Sequence, residues 1–243
     1  MQYEQKEATV PSRRSDQTVA RVHEALKRQI IAGDYAADQP LSQLKIAEAL
    51  GISRTPLREV FRLLEQDGLV ISEHNKRFRV AGFSPDDLEE LYALRIAIES
   101  AAIAMSVPRL DADDLAAIDA HLEAMDAATA SKDYDAWSEP HRRFHRLLIH
   151  RAGPRFTRMA EQLSDHAERY RHASMYVHNI DSWEQGKADH HGLRDAAQDR
   201  DSIGASERIA VHYGRVALQV LSSTAPLHNP SRLRSVLSAP DLA

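Results

Sequence analysis

Helix breakers are scarce in this chain and gathered at a few points, and that distribution limits its architecture more than any other feature. Of nine glycines and ten prolines in 243 residues, those at Gly33, Pro40, Gly51, Gly68, Gly82, Pro85, Pro108, Gly153 and Pro154, with the prolines after Ser223, punctuate the sequence. The stretches between them carry helical signals. They predict helices over 17–32, 42–50 and 54–67, then over 85–106, 111–130, 133–151, 154–175, 183–199 and 202–221. The one β-prone stretch, GLVISEHNKRFRVAGF, holds two short runs, Leu69–Ser72 and Phe78–Ala81, around a polar turn, and reads as a hairpin. Ser84 caps a new helix at Pro85, with Asp86 and Asp87 in the first turn, where the helix dipole favours anions. This start divides the chain into a tail over 1–16, a small domain over 17–82, a helical domain over 83–222, and a tail over 223–243 with a short helix signal near 231–237. The expected fold class is mainly α.

Composition narrows the chemistry. At 43% hydrophobic the chain can bury a core. No apolar run reaches 18 residues, so no membrane-spanning helix is expected. The first residues, MQYEQKEATVPSRRSD, lack the apolar region of a secretory signal, which points to the cytoplasm. Without cysteine there is no disulfide framework, thiolate metal site or thiol catalysis, so any metal must be held by His, Asp and Glu. The charge is uneven. Thirteen Lys and Arg face eleven Asp and Glu through Gly82, and eighteen face twenty-five beyond it, so the first part is the one suited to phosphates.

The most specific stretch is LSQLKIAEALGISRTPLREVFRLLEQDGLV, Leu41–Val70. A short apolar helix, a turn through Gly51, a Ser53 cap and a second helix with Arg54, Thr55 and Arg58 in its first turns is helix-turn-helix grammar. Short polar and cationic side chains there reach base edges and phosphates. The hairpin becomes a wing, with His74, Asn75, Lys76 and Arg77 at its tip. Residues 17–82 resemble the winged helix-turn-helix of GntR-family bacterial transcription regulators, whose signature SRTPLREV stands at Ser53–Val60. That likeness implies DNA contact by Ser53, Arg54, Thr55 and Arg58, and by His74 and Asn75 in the wing. Two positions depart from the family: its Pro-Gly before the second helix is ADQP here, and its wing glycine is Asn75, which tolerates positive φ.

In the helical domain, PHRRFHRLLIH over Pro140–His150 sets His141 and His145 one turn apart within the apolar arc, and Arg142, Arg143, Arg146 and His150 on the solvated face. Two neighbouring buried imidazoles need partners, and an i, i+4 pair grips a metal well. One core histidine with a backbone partner beside one partly exposed histidine satisfies the pattern equally. On the following helices His190 and His212 also face inward, while His191 turns out. Four inward histidines on three helices are consistent with one site in a bundle core.

Residues 85–222 resemble the FCD ligand-binding domain of the FadR subfamily, in its VanR-like six-helix form. The resemblance makes HRRFH the counterpart of the family's Asp-x-x-Phe-His and makes His190 and His212 its further metal ligands. His141 takes the place of Asp, which removes the anionic ligand and favours Zn²⁺, or Ni²⁺, over hard ions such as Mn²⁺. Arg95 lies at the centre of an apolar face and needs an anion. Glu99, one turn on, can supply it. The family's arginine in the LYALR context instead implies a carboxylate effector reaching Arg95 and the open metal positions, with Tyr92, Arg208 and Arg215 as further candidates. The expectation is a homodimeric transcription regulator on an inverted repeat of double-stranded DNA, controlled by a small organic acid beside a metal ion. Two other readings stay open: a regulator answering to the metal alone, and a metal-dependent hydrolase, for which the sequence places no obvious general base.

Overall fold

The computed structural model describes residues 13–73, 77–175 and 181–237, with side chains for 17–73, 77–171 and 185–237. The chain divides into two compact units, one through Gly82 and one from Phe83.

The N-terminal unit runs α1 (Arg13–Ile31), β1 (Pro40–Leu41), α2 (Gln43–Leu50), α3 (Arg54–Gln66), β2 (Val70–Glu73) and β3 (Arg77–Val80). Its antiparallel sheet has the order β1-β3-β2, with Val70 opposite Val80 and Pro40 opposite Arg79. Ser42 caps α2 by accepting from the Lys45 amide, and Gly51, at φ 63°, ends it in the left-handed region that glycine enters without strain. Leu57, Val60, Phe61 and Leu64 of α3 are wholly buried with Val22, Leu26 and Ile30 of α1, and the Phe61 and Phe78 rings lie 4.7 Å apart. Two differences from expectation have local causes. α1 begins at Arg13 rather than 17. β1, missing from the sequence reading, is two residues long and shows no period-2 pattern. The ADQP turn survives without its glycine because Asp38 adopts the left-handed conformation at φ 62° and pairs with Arg79.

The second unit contains α4 (Pro85–Ser106), α5 (Ala112–Ser131), α6 (Tyr134–Ile149), α7 (Pro154–Met175), α8 (Asp181–Gln198), α9 (Ser202–Thr224) and α10 (Ser231–Leu237). Side chains stop the fraying that unpaired amides cause at helix starts: Ser84 caps α4, Asp111 and Asp114 form a capping box on α5, Asp133 caps α6, and Asp201 caps α9. α4 packs against α6, α7, α9 and α10. Phe144, Ile96, Ile103, Leu193 and Ile209 share its core.

One expectation needs correction, that of a C-terminal tail, and α4 bears on another, that of no membrane-spanning helix. α4 with the turn after it, Pro85–Arg109, is long and apolar enough by composition to cross a membrane, with a mean hydropathy of 1.3 over its best window. Its buried Glu89, Arg95 and Glu99, all paired, mark it instead as the core helix of a bundle. The segment after 222 is no loose tail. α9 runs to Thr224, and α10 docks through Leu233, fully buried, whose amide donates to Glu89 Oε2 at 3.0 Å while His228 Nε2 meets Glu89 Oε1 at 2.6 Å. Seven residues are too few for periodicity to reveal such docking. Leu233→Ala is therefore expected to cost about 2–5 kcal/mol in urea unfolding of the intact chain, and an unchanged midpoint would show α10 to be undocked.

Candidate metal centre

Four side chains from three helices converge. His141 and His145 come from α6, His190 from α8 and His212 from α9, all between 2% and 5% exposed. One ring nitrogen of each lies within 4.8 Å of the others. His145 Nε2 and His190 Nε2 are 3.2 Å apart, a separation that a shared proton or a bound cation sustains and two facing lone pairs do not. Burial is the main force that holds the His141, His145 and His190 pKa values well below the ordinary value of 6.5; at His141 the Arg171 cation adds to it, and at His145 and His190 the neighbouring histidines do. His212 is lowered less, because Asp189 works against burial. All four are therefore neutral at pH 7, the form that ligates metals.

The walls of the cluster are built from paired charges. Asp189 accepts from His212 Nδ1 at 3.1 Å and pairs with Arg215. Burial opposes its ionisation, yet these two partners bring its carboxyl down to about 2. Such a carboxylate fixes the proton on Nδ1 and leaves Nε2 of His212 as the ligand atom. Arg95 Nε bonds Glu99 Oε1 at 2.8 Å, its guanidinium lies 3.9 Å from the Tyr213 ring centre, and Tyr213 donates to Glu99 Oε2 at 2.5 Å. Arg171 of α7 meets His141 and Glu168, and Glu168 also accepts from Tyr134 and Ser138. Trp137 stacks on His141 with centroids 4.1 Å apart. A cleft of about 100 Å³ between α6 and α7 reaches His145 and Glu99 past Arg142, Arg143 and Arg146.

The donor set fits a borderline metal. Four neutral imidazoles without a carboxylate or thiolate among them match the nitrogen preference of Zn²⁺ and Ni²⁺ and offer little to hard, oxygen-seeking ions. His150 and His191 stay outside the cluster, on Leu147 O at 2.7 Å and Asp126 Oδ2 at 2.9 Å. Of the effector candidates, Arg95 lies in the cluster wall with Glu99 as its ion-pair partner. The Tyr92 hydroxyl is buried there without a hydrogen-bond partner, since Arg95 approaches it outside bonding geometry. Arg208 does not belong to the site. It is exposed on α9, lining a surface depression with Asp189, Glu207, Val211 and Arg215 and none of the four histidines. Sequence reasoning missed Asp189, Arg171, Glu168 and Trp137. Asp189 precedes His190 directly and Trp137 lies one helical turn before His141, the local signals for these two.

In the N-terminal unit, Ser53, Arg54, Thr55 and Arg58 are all exposed at the start of α3, and the Ser53 hydroxyl makes no capping bond. Arg62, a turn further on, is tied to Glu59. His74 and Asn75 lie outside the described residues.

A helix-turn-helix followed by a β-hairpin in one unit, and a helical bundle closed around buried histidines in the other, define a DNA-binding transcription regulator. Residues 18–80 match the family described as bacterial regulatory proteins, gntR family, and residues 90–215 match the FCD domain. The chain belongs to the gntR family of bacterial regulators, among those with an FCD domain. It is similar to the HTH-type transcriptional repressor GlaR of Escherichia coli, 30% identical over 198 residues, 77% of this chain and 88% of that one. It is also similar to the uncharacterized HTH-type transcriptional regulator YdhC of Bacillus subtilis, 29% identical over 125 residues; that match spans little over half of either protein, 51% of this chain and 56% of YdhC. Two solved structures share the fold. Escherichia coli McbR/YncC has a TM-score of 0.75 at 24% identity, covering 84% of this chain and 97% of that one. A GntR regulator from Rhodococcus has 0.72 at 24%, covering 85% and 99%. These matches are to regulators, and the chain is not an enzyme.

The depressed histidine pKa values carry a stability consequence. The unfolded chain takes up protons as pH falls through about 6.5, while the buried imidazoles refuse them, so the stability present above that pH is lost below it. Calorimetry of the metal-free protein is expected to show Tm falling between about pH 7 and 5, with a shallower slope for His145→Gln. Equal slopes would mean that His145 titrates normally in the folded state.

Proposed function

We propose that this regulator is a cytoplasmic homodimer of the FadR-like subfamily whose operator affinity is set by a small carboxylate bound beside a divalent metal, zinc first and nickel second, in the FCD unit. The observation that carries this reading is the convergence of four neutral, buried imidazoles in one core. Burying four histidines without a ligand spends hydration for no return, and a metal held by neutral donors alone keeps its charge and attracts an anion. His141, His145, His190 and His212 would hold the metal. When bound, it supplies a Lewis-acidic centre at which a carboxylate is recognised. The unpartnered Tyr92 hydroxyl and the arginine-lined cleft between α6 and α7 suit the same class of ligand. Dimerisation is supported by α4, whose exposed Leu94, Ala97, Ala101 and Met105 form an apolar stripe one side of the helix long. Two recognition helices then read an inverted repeat of duplex DNA, with Ser53, Arg54, Thr55 and Arg58 at base edges and phosphates.

Two measurements check this reading. In a binding titration, Arg58→Ala or Arg54→Ala is expected to cost on the order of 1–3 kcal/mol of operator affinity with helicity unchanged; wild-type affinity in both would remove the assigned DNA face. His145→Ala or His190→Ala is expected to lower bound metal and to abolish the rise in Tm that metal gives the wild type, whereas His150→Ala and His191→Ala leave both intact. Equal loss in all four variants would mean that the cluster is not the metal site.

A further inference from the structure

Histidines closed inside a packed core need a way in, and the packing of α6 on α7 leaves an opening. α7 turns Ala160 and Ser164, one helical turn apart, towards the side of α6 that carries His145. Side chains so small do not fill the space between two helices, and a cleft of about 100 Å³ remains. Its inner end is formed by His145 and Glu99, both buried, and its outer end by Glu139, Arg143 and Arg146, all exposed.

Two ion pairs cross this gap. Arg142 Nη2 meets Asp165 Oδ1 at 2.8 Å, and Arg146 Nε meets Glu161 Oε1 at 2.9 Å. The partners are one turn apart on each helix and run in opposite directions, so the pairs form a two-rung ladder, with Arg142, Arg146 and Glu161 lining the cleft itself. The rungs differ. Asp165 is 8% exposed, whereas Arg146 and Glu161 are 51% and 38% exposed, so the second pair stands in water and contributes little to stability. Such a pair breaks and re-forms as fast as exposed side chains move. Holding α6 against α7 would be done better by apolar side chains filling the gap.

We propose that this cleft is the passage by which a metal ion reaches the histidine cluster, with the Arg146 and Glu161 pair as its outer gate and Ser164 setting its width. The inference rests on the metal reading above and adds to it the route of entry. A barrier on such a route is crossed in both directions, so it changes uptake and release by one common factor and leaves affinity alone. A chelator too large for the cleft must wait until the ion has come out.

The test is the rate of zinc release. Zinc-loaded wild type, Ser164→Leu and Arg146→Gln are mixed with excess chromophoric chelator in stopped flow, and zinc affinity is measured separately by competition at equilibrium. Ser164→Leu is expected to slow release by about tenfold or more, because the ion must then push aside a packed side chain. Arg146→Gln is expected to speed it about two- to fivefold, the effect of losing one exposed ion pair. Affinity is expected to stay within about twofold of wild type in both, since water screens these positions from the core. The release rate is expected to be independent of chelator concentration in all three proteins. Release at the wild-type rate in either folded variant overturns the proposal, because the ion then leaves by another way. An affinity that shifts along with the rate overturns it too, because these residues then shape the site rather than the way to it. If Ser164→Leu does not fold, Arg146→Gln decides alone. Failure of the underlying metal reading is a different result, a wild type that takes up no zinc.

Discussion

Neutral imidazoles buried together are the constraint on which the C-terminal unit depends. Burial withdraws His141, His145, His190 and His212 from water, and a proton on any one of them would be poorly compensated among the other three, least poorly at His212, beside Asp189. The surroundings keep that from happening. The charged groups nearest the cluster come as pairs, Asp189 with Arg215, Arg95 with Glu99, and Arg171 with Glu168. Each pair presents the histidines with little net charge. Buried ion pairs contribute little to stability by themselves, so the two buried ones here, Arg95 with Glu99 and Arg171 with Glu168, are better explained by the site they surround than by the fold.

α7 gives this site a physical line towards the start of the helical unit. Arg171 touches His141, and its chain neighbour Tyr170 bonds Asp87 Oδ2 at 2.6 Å, beside the Ser84 cap of α4. α6 and α7 are further joined by Arg142 with Asp165 at 2.8 Å and Arg146 with Glu161 at 2.9 Å. A ligand that changes the partner of His141 therefore changes a contact between these two helices. Such a difference in contact between two states is what a ligand must have in order to shift an equilibrium at a distance.

Much of this was legible in the sequence because helices carry their own index. Counting 100° per residue separates His145 from His150 and His190 from His191, and the structure places both pairs as that count requires. The SRTPLREV stretch sits at an exposed helix start for the same reason: its apolar residues, Leu57 and Val60, fix which face is buried. Contacts made across helices carry no such index. Glu99 as the partner of Arg95 was readable as an i+4 neighbour, whereas Arg171 lies 30 residues from His141 and Asp189 lies 23 from His212. Arg208, a further effector candidate in the sequence, is exposed on α9 and lines a depression that holds none of the four histidines. β1 was hidden by its length of two residues, and α10 was legible as a short helix but its docking on α4 was not.

The claim that binds these observations together is that the histidine cluster is a metal site with nitrogen donors and room for an anion. Zinc K-edge absorption spectroscopy of the zinc-loaded protein tests it most directly. The account predicts imidazole multiple scattering from at least three histidines at about 2.0–2.1 Å, with the remaining coordination from oxygen. A first shell made of oxygens alone, without imidazole scattering, would contradict it.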